Sequence, residues 1–139
     1  MAERTLLVEI VTPERIVYAS EVRMVVAPTV DGEVGILPLH APLVSALRPG
    51  EVRVRHSDDE VEWFAISGGY IQVHEDKVIV LADDAVPSSQ VDFERARAGA
   101  EHAQQRLAEI AAGDSAEADR CERDLKWCEA QIKAGGKRR

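Results

Sequence analysis

Proline stops at residue 87. All six prolines lie at or before Pro87, and alanine and charge dominate the remainder of the chain. Proline breaks helix interiors because it lacks an N–H and its ring clashes with the preceding turn. Residues 1–87 therefore cannot be built from long helices, whereas 88–139 carry no such breaker. The pattern changes with the composition, and the boundary falls at Val86-Pro87-Ser88-Ser89.

Before that boundary, apolar residues alternate. Leu6, Val8 and Ile10 share one face; Val22, Met24 and Val26 share another. Val52 and Val54 oppose Glu51, Arg53 and Arg55, and the pattern returns at Val61, Trp63 and Ala65, at Ile71 and Val73, and at Val78 and Val80. Period two puts one strand face on a core and the other in water. Turn signals recur about every ten residues, among them Thr12-Pro13-Glu14, Asp31-Gly32, Arg48-Pro49-Gly50, Gly68-Gly69 and Glu75-Asp76. Residues 1–87 are thus expected to form an antiparallel β-sandwich or barrel. Gly32–Leu43 reads as an apolar loop studded with glycine and proline. It is either a buried crossover between sheets or an exposed docking loop.

After the boundary, Phe93, Ala96, Ala100, Ala103, Leu107 and Ile110 are spaced as one helix face. Ala118, Cys121, Leu125, Cys128 and Ile132 make a second. Gly113 supplies a left-handed cap, and Asp114 with Glu117 resembles a capping box. A short connection between two such helices predicts an antiparallel α-helical hairpin over 88–139. Its seam is mostly alanine, whereas a buried Leu or Ile contributes about 1.5–3 kcal/mol. A hairpin so weakly held can open.

The formal net charge of −8 disfavours nucleic-acid binding, which needs a basic surface. The last segment is the exception. Residues 120–139 hold seven basic and three acidic side chains, a cationic strip that is either a solvated helix face or a contact for an acidic partner. No apolar run is long enough to span a bilayer, so no direct membrane insertion is expected. The N-terminus lacks signal- or transit-peptide character, and the late cysteines suit a reducing cytosol. Cys121 and Cys128 stand seven apart on a helix, about 10 Å along its axis, too far for a disulfide. His40, His56, His74 and His102 fall in different elements, with no metal-ligand spacing. Ser67-Gly68-Gly69 lies between strands, as a hairpin or bulge, and is no nucleophile elbow. No catalytic set and no metal site are expected.

Three segments resemble a known family. Gly-Glu-Val-Gly-Ile-Leu-Pro-Leu-His-Ala-Pro-Leu at 32–43, Ser-Gly-Gly-Tyr-Ile-Gln-Val at 67–73, and Val-Ile-Val-Leu-Ala-Asp at 78–83 are similar to segments of the epsilon subunit of F-type ATP synthase, in the same order and spacing. The resemblance covers essentially the whole chain. It implies an all-β sandwich followed by an α-helical hairpin, with no active site. It implies a rotor subunit of the central stalk, beside gamma and on the c-subunit ring. It implies C-terminal helices that reach the alpha and beta subunits and inhibit ATP hydrolysis, and a place on the cytoplasmic face of a bacterial membrane. By position, Thr12, Glu33 and His40 match c-ring contacts, although Leu39 replaces the small residue usual before this histidine. Val91-Asp92-Phe93-Glu94-Arg95-Ala96 matches the family's nucleotide motif. Asp92, Arg95 and Ala96 are therefore candidates for regulatory ATP, though no cofactor is required. His102, Trp127 and Gln131 stand where some members carry supporting arginines. Arg120, Arg123 and Lys126 would contact the beta subunit. The rival reading is a free-standing sandwich binding module with a helical oligomerisation hairpin.

Overall fold

The computed structural model describes residues 4–110 and 113–136. These form ten strands: β1 Leu6–Val11, β2 Ile16–Val22, β3 Met24–Thr29, β4 Gly32–Ile36, β5 Leu43–Leu47, β6 Gly50–Arg55, β7 Val61–Ile66, β8 Gly69–His74, β9 Lys77–Ala82 and β10 Ala85–Pro87. A 3-10 turn at Ser88–Gln90 leads to helices α1 Phe93–Glu109 and α2 Ser115–Gly135.

The strands form two layers. One runs β2-β1-β9-β8-β5 and the other β4-β3-β6-β7-β10. They join where β3 meets β5, through the single pair Thr29 and Leu47. Side chains at alternate positions of both layers fill the space between. Leu6, Val8, Ile10, Ile71, Val73, Val78 and Val80 face Val25, Ile36, Val52, Val54, Phe64 and Ile66 in one buried cluster. This is the sandwich with a helical hairpin that the alternation and the seams predicted.

Several details differ. The sandwich is not wholly antiparallel, because β1 and β9 run parallel. Parallel neighbours need a long crossover, and here all of β2–β8 supplies it. Alternation marks faces, not direction. Val22, Met24 and Val26 do not share a face. The chain bends at Arg23, whose N–H donates to Arg55 O at 2.8 Å. Val22 ends β2 facing the core, and in β3 the core takes Val25 and Ala27. The 32–43 segment is not one loop. Its first half is strand β4, paired with β3, and only 37–42 remains outside regular structure.

Ser67-Gly68-Gly69 is neither hairpin nor bulge. β7 and β8 pair with other strands, so this segment carries the chain from one layer to the other. Gly69 has φ +139°, and a Cβ there would lie 1.9 Å from Leu81 O. No L side chain fits so close an approach.

The hairpin packs on the outer face of the second layer. Ala130 and Ala134 of α2 bury Ala65 of β7, with Trp127 beside them. A Cβ at Gly135 would meet Phe93 Cζ at 2.7 Å, so glycine is what lets the start of α1 close on the end of α2. Gly113 takes φ +102° before α2. Only half of the predicted capping box forms. Asp114 accepts from Glu117 N at 3.3 Å, while the Glu117 carboxylate turns to arginines.

A polar cluster ties the far edges of the layers together. Tyr18 Oη of β2 donates to Glu62 Oε2 of β7 at 2.9 Å and lies 2.8 Å from His56 Nε2. His56 Nε2 is 2.6 Å from the same carboxylate oxygen. The Tyr18 ring lies on Phe64, with centroids 4.8 Å apart. Burial, and then the bond to Glu62, push the phenol well above the ordinary tyrosine range. Tyr18→Phe keeps the ring and removes the hydroxyl. It should lower unfolding stability by about 1 kcal/mol with an unchanged denaturant m-value, measured by urea denaturation.

Candidate functional site

Since one face of each layer is buried in the core, the other must be covered or left to solvent. The second layer is covered by α2. The first is not covered by any described residue. On it the register aligns Ala46 with Tyr70, Tyr70 with Leu81, and Leu81 with Val11. An apolar row therefore crosses β5, β8, β9 and β1. Tyr70 is 60% exposed and Leu81 47%, and Val44 of the next row is 74% exposed. The row floors a shallow groove whose rim includes Thr12, Pro13 and Asp83. Exposed apolar residues gathered on one sheet face mark a protein interface.

Thr12, Glu33 and His40 line three separate depressions. Thr12 follows β1 and closes a turn. Its hydroxyl donates to Arg15 O at 3.2 Å and accepts from Arg15 N at 3.3 Å. Glu33 lies on β4 opposite Pro28, in a cleft shared with Arg48, Lys126 and Lys133. His40 belongs to the 37–42 loop, near Asp76. The β1–β9 register sets Val11 beside Leu81 and Leu7 beside Lys77. Thr12 and Asp76 thus stand at opposite ends of that pair, and His40 goes with Asp76.

The crossover reading of 32–43 is met in part by 37–42, which carries the chain from β4 in the second layer to β5 in the first, but this loop is not buried. It lies outside the core and turns Leu37 and Leu39 outward, 55% and 70% exposed. His40 N donates to Leu37 O at 3.2 Å, and His40 Nδ1 donates to Ala41 O at 2.7 Å. Leu39 has φ +69°. A non-glycine residue held there costs on the order of 1 kcal/mol. Asp76 offsets that strain. Its carboxylate accepts from Leu39 N at 2.6 Å and from Arg4 Nη2 at 3.0 Å. The Leu39 N–H first, and then Arg4, hold its carboxyl below the usual carboxylate range. Sequence reasoning marked Asp76 only as a turn residue. No spacing signal links it to Leu39, 37 positions away.

The nucleotide-motif residues have structural roles of their own. Asp92 is the N-cap of α1, accepting from Arg95 N at 3.1 Å. Val91 and Ala96 are buried. Asp92 and Arg95 keep exposed side chains on the first turn, so both are open to a ligand. His102 is exposed, Gln131 is half-buried, and Trp127 belongs to the contact between hairpin and sandwich.

The basic strip divides. Arg120 and Arg106 both pair with Glu117, joining α1 to α2. The bond from Arg120 is the main reason that the Glu117 carboxyl is held below its ordinary range. Arg123 is exposed, and Lys126 lines the cleft under α2. Lys137, Arg138 and Arg139 lie outside the described residues.

Among the described residues no group of three or more His, Cys, Asp or Glu could hold a metal ion, and no helix is long and apolar enough to cross a membrane.

Comparison with known proteins agrees with this architecture. Residues 5–88 match the family model for the ATP synthase delta/epsilon chain, beta-sandwich domain. The ATP synthase epsilon chain of Moorella thermoacetica is 41% identical over 128 residues, covering 92% of this chain and 94% of that one. That of Desulforamulus reducens is 47% identical over 104 residues, 75% of this chain and 78% of that one. A chain in a Euglena gracilis mitochondrial ATP synthase structure shares the fold, with a TM-score of 0.77 at 23% identity over 94% of this chain and 80% of that one. The sandwich, the hairpin on its second layer and this sequence likeness over nearly the full length place the chain in the ATP synthase epsilon chain family, a non-catalytic subunit of that enzyme.

Proposed function

We propose that the chain works in the rotor of an F-type ATP synthase, as the central-stalk subunit that joins gamma to the c-subunit ring. The observation that carries this reading is the division of labour between the two outer faces. One is covered by the chain's own hairpin, and the other offers the row Ala46, Tyr70, Leu81 and Val11. Gamma is the partner for that open face. The ring is the partner for Thr12 and Glu33, which share one end of the sandwich; His40, which the family resemblance groups with them, lies at the opposite end beside Asp76 and is left out of that contact. The ring would hold the protein at the cytoplasmic face of the bacterial membrane without inserting it.

The hairpin carries regulation. It meets the sandwich mainly through Ala65, Ala130, Ala134 and Trp127. Alanine buries little apolar surface, so the contact can be given up at small free-energy cost. In the folded hairpin Arg120 is engaged by Glu117. An opened hairpin frees Arg120, beside Arg123 and Lys126, for acidic surface on the alpha and beta subunits, and ATP hydrolysis is inhibited. ATP held by Asp92 and Arg95 next to Ala96 would favour the folded form by mass action.

Replacing Tyr70 and Leu81 together with Asp should weaken gamma binding at least a hundredfold, read by titration calorimetry, with the circular dichroism of the subunit unchanged. Equal affinity would sink the gamma assignment. Replacing Arg120, Arg123 and Lys126 with Ala should raise ATP hydrolysis by the assembled complex several-fold, and raised salt should imitate the change in the unmodified protein. Calorimetry with ATP on the isolated subunit should give saturable heat that Arg95→Ala abolishes. Heat that the mutant retains would leave Asp92 as a helix cap alone.

A further inference from the structure

Gly99 stands in the middle of α1, where a glycine needs a reason. Glycine weakens a helix interior more than any residue except proline. The backbone here does not ask for it, since Gly99 is regular helix and has no positive φ. The reason is steric. A Cβ at Gly99 would lie 2.7 Å from Cys128 Sγ of α2, closer than real Cβ atoms come to a neighbour. The Cys128 sulfur therefore rests on bare α1 backbone. Gly135 repeats the arrangement with the helices exchanged, because a Cβ there would meet Phe93 Cζ of α1 at 2.7 Å. Each helix thus receives a side chain of the other in a glycine hole.

The two holes do different work. The Phe93 seat lies at the start of α1, where the same Cβ would also meet Val91 Cγ1 at 3.0 Å, and it fastens the base of the hairpin. The Cys128 seat lies mid-helix, where parting helices must give it up. Periodicity put Ala96, Ala100 and Ala103 on the seam and passed over Gly99, which is half-buried between the buried Ala96 and Ala103. Burial, and then Asp124 and Glu129, push the Cys128 thiol above its ordinary range, in keeping with a sulfur held between helices. A contact of sulfur on backbone has no slack for an added methyl. Once the helices part, position 99 has no such neighbour, and glycine and alanine differ there only in helix propensity.

We propose that Gly99 and Cys128 form the latch that sets the balance between the folded and the opened hairpin. The inference rests on the opening proposed above and names the contact that governs it. A methyl at position 99 costs packing in the folded hairpin alone, so one carbon atom moves the balance toward the opened form. The rest of the seam is mostly alanine and offers little to resist that shift.

Cys121 reports the balance. It is 3% exposed, on the same face of α2 and seven residues before Cys128. Iodoacetamide reaches such a thiol only when the helices part. In the isolated full-length subunit, Gly99→Ala should raise the rate of Cys121 alkylation, followed by peptide mass spectrometry, about tenfold. With Cys128→Ala already in place the sulfur is gone, and adding Gly99→Ala should change the rate less than about twofold. The gain in helix propensity is common to both backgrounds and cancels from the comparison. An equal change in the two backgrounds overturns the latch. In the unmodified subunit, Cys121 alkylation that runs only as fast as the core amides of β1 and β9 exchange reports global unfolding. That result overturns the opening hairpin and the latch with it. In the assembled complex, Gly99→Ala should lower ATP hydrolysis several-fold, and Gly99→Ala with Cys128→Ala should restore it. Hydrolysis that stays level while alkylation shows the hairpin opened overturns the inhibition proposed above, and the latch stands on its alkylation rates.

Discussion

Everything outside this sandwich is decided by what lies within it. Valine, isoleucine and leucine at every second position of facing strands lock the layers together. A one-residue slip of any strand would turn its core face to solvent, so the register is held tightly. The remaining positions face outward in fixed rows. On the second layer the rows carry Arg53, Trp63 and Ala65, which receive α2; Arg53 lies 5.5 Å from the Trp63 ring centroid. On the first they carry Ala46, Tyr70, Leu81 and Val11. The exposed apolar row is therefore a by-product of core register. A substitution in the core that shifted β8 or β9 would scatter it without touching one of its residues.

Much of this was legible because burial on one face forces period two, and a buried helix stripe forces spacings of three and four. The strands of β1, β6, β8 and β9, the two helices, the change at Pro87 and the cap at Gly113 all follow from local patterning. The features that were not legible depend on partners distant in the chain. Alternation is blind to strand direction, so the parallel β1–β9 pair was invisible. It is blind to a change of phase as well, so Val22 and Val26 read as one face across the bend at Arg23. The contact of His56 with Tyr18 was hidden too, because 38 positions separate them.

The site residues divide along the same line. Asp92 could be read as helical from sequence, and its role as a cap is local. The exposed row needed the register before Val11, Ala46, Tyr70 and Leu81 could be seen as neighbours. Arg120, Arg123 and Lys126 looked like one strip because they succeed one another at spacings of three. The helix turns about 100° per residue, so each step of three drifts by about 60°. Over two steps the strip rotates from the α1 side, where Glu117 takes Arg120, to the sandwich side, where Lys126 meets the cleft.

The magnitudes explain why the two parts of the chain can behave differently. Each fully buried valine, leucine or isoleucine of the sandwich contributes about 1.5–3 kcal/mol, and there are many. The hairpin has the caps Asp92 and Asp114, each worth about 1 kcal/mol. It also has solvent-screened ion pairs at Glu117 and a seam of alanine. Moving a two-state element from 1:99 to 99:1 takes about 5.5 kcal/mol of differential binding. A ligand present at a thousand times its Kd contributes about 4.1 kcal/mol, so binding of the kind proposed above would shift the balance of the hairpin substantially. A firmly packed sandwich and a loosely held hairpin can thus share one chain, because the first is packed with branched side chains and the second with methyl groups.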